Sequence, residues 1–291
     1  MSDAAAAGSP RHRAARDRLM PLALVSPLVA WLLAFYALPV LAMLLRSVSE
    51  PTWTLENLSH LFTDDVTAQV FLITFRTAAI VTVCVALIGY PVAFALAQLP
   101  RGAANVMLLL ILLPFWTSVL VRTYAWMVLL GRTGVLNQLL LYLGVIVAPL
   151  KVLNTSLAVV VAMTHILLPY MILPTYSVLL DIDRALPRAA AGLGATPFGV
   201  LRQVWLPLSM PGAAAGMMLV FVLALGFFIT PALVGGPRDL MVAMLIQQQV
   251  DLVNWPFASA LAAALLLVTL VVLGIGHRLL GLDRIIRAGR R

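Results

Sequence analysis

Long apolar stretches without a charged residue follow one another along most of this chain. Six of them contain no Asp, Glu, Lys or Arg: residues 22–45, 77–100, 102–121, 152–180, 203–237 and 252–276. A helix needs about 20 apolar residues to cross the hydrocarbon core of a bilayer. The pattern therefore predicts an all-α membrane protein with six transmembrane helices.

A further charge-free stretch, residues 133–150, raises the question of a seventh crossing. Gly134, Asn137, Gln138 and Gly144 interrupt its apolar character. Four leucines would share one face of a helix there, which is typical of an amphipathic helix at a membrane surface: Leu136, Leu139, Leu140 and Leu143. We predict an interfacial helix on the outer side and no seventh span.

Charged residues are few and lie mostly between the apolar stretches. Of the 291 residues, 63% are hydrophobic and 10% are charged, whereas soluble proteins average about 25% charged residues. The net charge of +8 does not predict nucleic-acid binding, because the cations are spread between spans rather than gathered on one surface. The lipid bilayer is the expected environment.

The distribution of Lys and Arg predicts the orientation of the chain. With six spans and a cytoplasmic N-terminus, the inner segments hold 13 of these residues: Arg11, Arg13, Arg16, Arg18, Arg101, Arg184, Arg188, Arg202, Arg278, Arg284, Arg287, Arg290 and Arg291. The outer segments hold five: Arg46, Arg122, Arg132, Lys151 and Arg238. Cytoplasmic loops are enriched in Lys and Arg, so both termini are expected in the cytoplasm.

One membrane domain and two tails describe the predicted organisation. Residues 21–280 form the six-span domain, residues 1–20 a cytoplasmic tail, and residues 281–291 a basic cytoplasmic tail. The first apolar stretch is longer than the roughly 7 to 15 residues of a signal-peptide core. We therefore expect an uncleaved span.

Motifs for catalysis and for nucleotide binding are missing from the sequence. The four histidines are scattered, and neither H-E-x-x-H nor G-x-S-x-G occurs. No G-x-x-x-x-G-K-[ST] phosphate loop is present either. Only His165 lies well within a span, where Thr164 and Tyr170 could satisfy its ring. We expect no enzyme, metal or cofactor here, and any ATP and Mg²⁺ would be bound by another chain.

Residues 188–207, between the fourth and fifth stretches, predict a helix-turn-helix. Gly194 suits the left-handed residue that ends one helix, Thr196 suits an N-cap, and Pro197 suits the first helical position after it. Pro207 is expected to end the second helix. That helix would present an apolar stripe able to fill a groove on a soluble partner: Phe198, Leu201, Val204 and Trp205.

The same segment resembles the cytoplasmic loop of the permease subunits of binding-protein-dependent ABC importers. That loop carries E-A-A-x-x-x-G, followed ten residues later by I-x-L-P, and the matching positions here are Ala189, Ala190, Gly194, Val204, Leu206 and Pro207. Arg188 stands where the family usually has Glu. The resemblance implies that this coupling loop, residues 181–207, docks into a cleft of an ATPase subunit.

Other motifs resemble the polyamine branch of that family. They are G-Y-P at 89–91, L-P-F-W-T-S at 113–118, V-R-T-Y-A-W at 121–126, T-P-A-L at 230–233, G-G-P at 235–237, I-Q-Q-Q at 246–249 and N-W-P-F at 254–257. The resemblance implies uptake of putrescine or spermidine by an assembly with two ATPase copies, a second similar permease chain and an extracytoplasmic solute-binding protein. A homodimer of this permease, and the related importers of thiamine, ferric iron, phosphonates or opines, stay open as alternatives. A secondary transporter is less favoured, because such a protein should carry acids inside its spans.

Aromatic and acidic residues are the candidates for a transport path. Tyrosine and tryptophan rings could offer a passing cation contacts of about 0.5–2 kcal/mol each: Trp116, Tyr124, Trp126 and Tyr170. Asp239 and Asp251 belong to a modestly acidic outer rim. Arg122, between two apolar runs, must lie near the outer surface or pair with a carbonyl, with Asp239 or Asp251, or with another subunit.

Overall fold

Helices make up nearly all of the part of the chain that the computed structural model describes, residues 24–49, 53 and 56–280. In chain order they are α1 (Leu24–Ser49), α2 (Glu56–Thr63), α3 (Asp65–Gln98), α4 (Arg101–Leu112), α5 (Val119–Leu130), α6 (Val135–Tyr142), α7 (Ser156–Asp181), α8 (Ala185–Gly192), α9 (Pro197–Leu225), α10 (Ile229–Val234), α11 (Val242–Asp251) and α12 (Trp255–Leu280). The predicted tails, residues 1–20 and 281–291, lie outside the described residues.

Six apolar segments in the described chain are long enough to cross a membrane, as predicted. Five of them are α1, α3, α7, α9 and α12, which overlap five of the six charge-free stretches. The remaining segment is Val119–Tyr142, preceded by the shorter apolar helix Arg101–Trp116. The count of six is confirmed, and the difference lies in how the third stretch folds.

The prediction that the third stretch, residues 102–121, forms one continuous helix is wrong. α4 ends at Leu112, a 3₁₀ turn covers Leu113–Trp116, and α5 begins at Val119. Pro114 explains the break, because proline supplies no N–H to the helical ladder and its ring crowds the preceding turn. The chain therefore leaves the α-helical path in the middle of an apolar region.

A serine cap and a threonine pair position α5 after this break. The Ser118 hydroxyl accepts the Leu120 N–H at 3.3 Å, which caps the helix. The buried hydroxyls of Thr123 and Thr230 lie 3.0 Å apart and join α5 to α10. Arg122 is the fourth residue of α5.

The extra charge-free stretch, residues 133–150, forms only the eight-residue helix α6. α6 belongs to the segment Val119–Tyr142 already counted among the six and adds no further segment, so the rejection of a seventh span is confirmed. Asn137 is buried and bridges this segment: its amide donates to the carbonyls of Gly131 and Leu150, both at 3.0 Å, and its oxygen accepts the Leu150 N–H at 2.8 Å. The position of α6 at the outer surface stays a prediction.

α3, α7 and α9 pack against one another most extensively and form the core. Met163, Leu167 and Met171 of α7 are fully buried between them. The hydroxyl groups of Tyr90 in α3 and Ser209 in α9 lie 2.8 Å apart across the same core. A second contact joins α1 to α12, away from this triple-helix core.

The fifth span differs from its prediction at both ends. At the start, Pro207 was expected to end a short helix, but α9 continues through it. At the other end, the predicted stretch 203–237 is not one helix: α9 ends at Leu225, and after Gly226 the separate helix α10 follows. Continuation is possible because Leu201–Trp205 form a π-turn, in which the Leu206 N–H bonds to the Leu201 carbonyl. This wider turn relieves the clash that a proline ring makes with the preceding carbonyls.

The same device occurs in α1. Residues Leu33–Ala37 form a π-turn, and the Leu38 N–H bonds to the Leu33 carbonyl directly before Pro39. Both helices therefore continue through a Leu-Pro pair. A proline preceded by a π-turn does not end a helix in this chain.

Close approach of α7 and α9 depends on glycine at their contact. A Cβ atom added at Gly212 would lie 2.7 Å from the Pro174 carbonyl oxygen and 2.8 Å from the Val178 side chain. We expect Gly212→Ala to lower the thermal midpoint of the purified protein by several degrees, because overpacking a core costs about 1–3 kcal/mol.

Gly274→Ala is the matched control, since a Cβ at Gly274 meets nothing within 4 Å. Thermal unfolding in detergent, followed by size-exclusion recovery, measures both variants. Equal midpoints for the two would contradict the close packing of α7 on α9.

Candidate functional site

The hairpin between α7 and α9 closes through a glycine in the left-handed region. Gly194 has φ +87°, a conformation that L side chains rarely adopt. The Ala195 N–H bonds to the Ala190 carbonyl at 3.1 Å, and the Gly194 N–H bonds to the Ala191 carbonyl at 3.0 Å. These two bonds are the Schellman arrangement that ends a helix, so the predicted role of Gly194 in ending α8 is confirmed.

Thr196 and Pro197 begin the next helix as predicted. The Thr196 hydroxyl accepts the Gly199 N–H at 3.2 Å, which satisfies one of the free donors at the start of α9. Pro197 occupies the first turn, where its missing N–H costs nothing. The hairpin is thus fixed by caps on both sides of a two-residue turn.

Only part of the predicted apolar stripe faces outward. Trp205 and Val200 are buried, and the Trp205 ring meets Phe94 of α3 edge-on at 5.5 Å between centroids. Leu201 and Val204 are half-buried against the same cluster. The prediction that Trp205 faces a partner is wrong, because the helix carries on into the bundle and this face packs on α3.

Two large apolar side chains project from the hairpin itself. Leu193 is 90% exposed and Phe198 is 71% exposed. Leu193 was not among the sequence candidates, although its place between a helix C-terminus and a left-handed glycine is a signal that could have found it. Together the two side chains form the hairpin tip, on which Arg188 is also exposed and makes no ion pair with any described residue.

The remaining residues of the predicted coupling set lie on either side of the tip. Ala189 is exposed and Ala190 half-buried, and Leu206 and Pro207 are exposed on the first turns of α9 beyond the π-turn. The hairpin therefore presents a small apolar surface on a rigid base.

The predicted aromatic path residues separate into two groups. Trp116 and Tyr124 are 75% and 55% exposed, on the 3₁₀ turn and on α5. Trp126 and Tyr170 are half-buried, and the Tyr170 ring packs on Phe115 at 5.6 Å between centroids. The structure thus brings Tyr170 to the break after α4, against Phe115.

His165 and Trp126 form a hydrogen-bonded pair between α7 and α5. The Trp126 indole N–H donates to His165 Nδ1 at 3.3 Å, and the rings meet at 70°. Thr164 and Tyr170 were the expected partners of this histidine, and that expectation is wrong, since Trp126 takes the role. The bond requires the neutral tautomer with its proton on Nε2, because Nδ1 accepts.

A cavity of about 230 Å³ opens beside this pair. α7 contributes His165 and Pro169, α5 contributes Arg122, and the turn after α4 contributes Pro114; the other lining residues are Val92, Leu110, Ile111, Leu168 and Ile172. The Arg122 Nε is buried and has no hydrogen-bond partner among the described residues. The walls are otherwise apolar.

The two predicted acidic path residues do not line this cavity, and they differ from each other in burial. Asp239 is 6% exposed, and its carboxylate accepts hydrogen bonds from the Ser156 hydroxyl and, at 2.8 Å, from the Gly236 N–H. Asp251 is exposed and accepts from the Gln247 amide at 2.8 Å. Asp239 therefore belongs to a turn between α10 and α11 that clasps the start of α7, and not to an open acidic rim.

Comparisons with known proteins agree with this architecture. A family model described as the binding-protein-dependent transport system inner membrane component matches residues 5–280. The spermidine/putrescine transport system permease protein PotB of Haemophilus influenzae is 37% identical over 245 residues, which cover 84% of this chain and 81% of that protein. PotB of Escherichia coli is 35% identical over 254 residues, with coverage of 84% and 92%.

A solved structure shares the fold. A chain of a bacterial ABC transporter involved in the import of the acidic polysaccharide alginate superposes with a TM-score of 0.76. The superposition covers 94% of this chain and 98% of that one, at 15% sequence identity. At that identity the likeness concerns the fold alone.

Replacing Asp239 and Asp251 in turn tests which of these two acids stabilises the fold. We expect Asp239→Ala to lower the thermal midpoint, because the Ser156 hydroxyl and the Gly236 N–H lose their acceptor, a loss of about 1–3 kcal/mol. Asp251→Ala should leave the midpoint unchanged. Thermal unfolding of both purified variants is the measurement. An unchanged midpoint for Asp239→Ala would show that its bonds to Ser156 and Gly236 do not stabilise the fold.

Proposed function

Because this chain belongs to the family of binding-protein-dependent transport system inner membrane components, it is a permease subunit of an ABC importer, and we propose that its cargo is a polyamine. The chain is not an enzyme, since ATP hydrolysis belongs to a separate ATPase in such importers. It is a multi-pass protein of the inner membrane. The observation that carries the cargo proposal is the similarity to PotB over 84% of the chain.

Four aromatic residues on the 3₁₀ turn, α5 and α7 are compatible with weak, transient contact with a cation: Trp116, Tyr124, Trp126 and Tyr170. They do not line the cavity itself, whose charged lining residue is Arg122. Cation–π contacts of about 0.5–2 kcal/mol each suit transit better than capture. In this proposal the tight, selective binding step falls to the extracytoplasmic solute-binding protein.

The coupling loop, residues 181–207, is the proposed contact with the ATPase. Leu193 and Phe198 would enter a cleft on that subunit, and the caps at Gly194 and Thr196 would hold them in place. Ala189, Ala190, Leu206 and Pro207 flank the contact, and Arg188 stands at its edge. ATP and Mg²⁺ would be bound by the ATPase.

The proposed assembly contains two ATPase copies, a second and different permease chain, and the solute-binding protein. Both termini and the coupling loop of this chain would lie in the cytoplasm, as the distribution of Lys and Arg favours. α6 and the Asp239 turn would then lie on the outer side. Protease accessibility of the hairpin from the cytoplasmic side tests this orientation.

Uptake by the complete complex tests the cargo. We expect vesicles that carry both permeases, the ATPase and the binding protein to accumulate labelled putrescine or spermidine only when ATP is supplied. Excess thiamine, ferric iron or phosphonate should not compete. ATP-dependent uptake of one of those solutes, with no uptake of either polyamine, would overturn the proposed cargo and keep the permease assignment.

Gly194→Val tests the coupling loop. A β-branched side chain at φ +87° strains the Schellman turn, since the left-handed region costs an L-residue about 1–2 kcal/mol. We expect uptake to fall at least tenfold while the chain still inserts into the membrane and the ATPase still hydrolyses ATP.

Gly192→Val is the control, because Gly192 ends α8 outside the left-handed region and an added Cβ there meets nothing within 4 Å. It should retain most of the uptake. Wild-type transport by Gly194→Val would remove the coupling role from this turn.

A further inference from the structure

Arg122 is a cation that follows a long apolar run and has no counter-ion among the residues that the structure describes. It lies in the first turn of α5, between Val121 and Thr123, and lines the cavity beside His165. A charged side chain at the centre of a span costs about 2.5–3.5 kcal/mol on insertion scales. Its Nε is buried and lacks an acceptor, so a compensating group has to come from elsewhere.

No acid in the described part of the chain forms an ion pair with Arg122. No Asp or Glu occurs between Asp65 and Asp181 in the sequence, and none occurs between Asp183 and Asp239. Asp239 is buried against Ser156, which lies nine residues before His165, or about 13 Å along α7. Asp181 lies sixteen residues after His165, or about 24 Å along the same helix.

The protein surface next to Arg122, which we call the wall, must either be covered by another protein or line a water-filled path. The segment 113–118 is not α-helical, and irregular backbone at membrane depth is tolerated only in those two situations. Large side chains on this wall are exposed: Leu110, Leu113, Trp116 and Tyr124. Leu108 and Ile111 of α4 pack inward against the cluster that contains Ile172, which leaves the opposite side exposed at Leu109 and Leu113. This wall is the broken-helix face.

We propose that the broken-helix face binds the second permease chain, and that Arg122 pairs there with a carboxylate from one of that chain's spans. The inference rests on the proposed function, because it requires a second permease. A carboxylate in the cavity would meet the guanidinium in low-dielectric surroundings, where charge-assisted hydrogen bonds are strong. The pair would also fix which chain can occupy this face.

The required chemistry distinguishes the partner from a second copy of this chain. A second copy would bring acids only at the ends of its spans, since Asp65 is the first residue of α3 and Asp181 is the last residue of α7. Two copies would instead oppose Arg122 with another apolar wall or another cation. Arg122 therefore favours a different permease chain as the occupant.

Recovery of the second permease with this chain tests the proposal. The complete complex is expressed with a tag on this chain, and the co-purified second permease is quantified in detergent without any solute. We expect Arg122→Gln to reduce its recovery at least tenfold and Arg122→Lys to retain most of it. Arg132→Gln is the control, since Arg132 is exposed in the turn after α5.

Reversing the charges of the proposed pair identifies the carboxylate of the second permease. This experiment also keeps the test informative if Arg122→Gln accumulates poorly in the membrane. Arg122→Glu is combined with replacement of each intramembrane acid of the second permease by Arg, and one combination should restore recovery to within about threefold of wild type, as expected for a specific pair. Equal recovery by Arg122→Gln and Arg132→Gln would overturn the proposal, and so would failure of every reversed pair.

The outcomes separate this inference from the cargo proposal. Wild-type protein that recovers only copies of itself would refute both the pairing and the proposed heterodimer, whatever the cargo. Unchanged assembly of Arg122→Gln with altered polyamine uptake would assign Arg122 to the path and overturn the pairing. Assembly measured without solute does not depend on which solute is carried.

Discussion

A bilayer supplies no hydrogen bonds to a peptide group, so each polar group in an apolar span must find its partner within protein. Most of this chain meets the requirement with unbroken helices. Prolines interrupt the ladder at several places, among them Pro91 in α3, Pro114 after α4, Pro169 in α7 and Pro211 in α9. Two of them, Pro114 and Pro169, line the same cavity as Arg122 and His165, so irregular backbone and polar side chains meet there.

Local patterns were sufficient for the number of spans and for the two caps of the hairpin. The absence of charge over about 20 residues depends only on the sequence, and Gly194, Thr196 and Pro197 act through bonds to residues close by in the chain. The polyamine motifs were likewise local and led to the correct family. Each of these features needed no knowledge of a distant residue.

Features that depend on distant residues could not be predicted in the same way. From the sequence alone Asp239 would be taken for a surface acid, but in the structure it accepts a hydrogen bond from Ser156, 83 residues away. From the sequence alone Trp205 would belong to an exposed stripe, but α9 continues into the bundle and its ring packs on Phe94. Asn137, which interrupts an apolar run in the sequence, fastens a loop through Leu150. In each case a polar or aromatic side chain has a partner that no local pattern specifies.

The π-turn at Leu201–Trp205 has a mechanical consequence. Because it lets α9 pass through Pro207, one helix of 29 residues runs from the hairpin to Leu225, about 43 Å along its axis. The π-turn and Pro211 are the places in it where a helix bends most easily. A displacement of Thr196 is therefore passed on to Leu225 through helical backbone rather than through a loop, and any change of angle along the way falls at those two places.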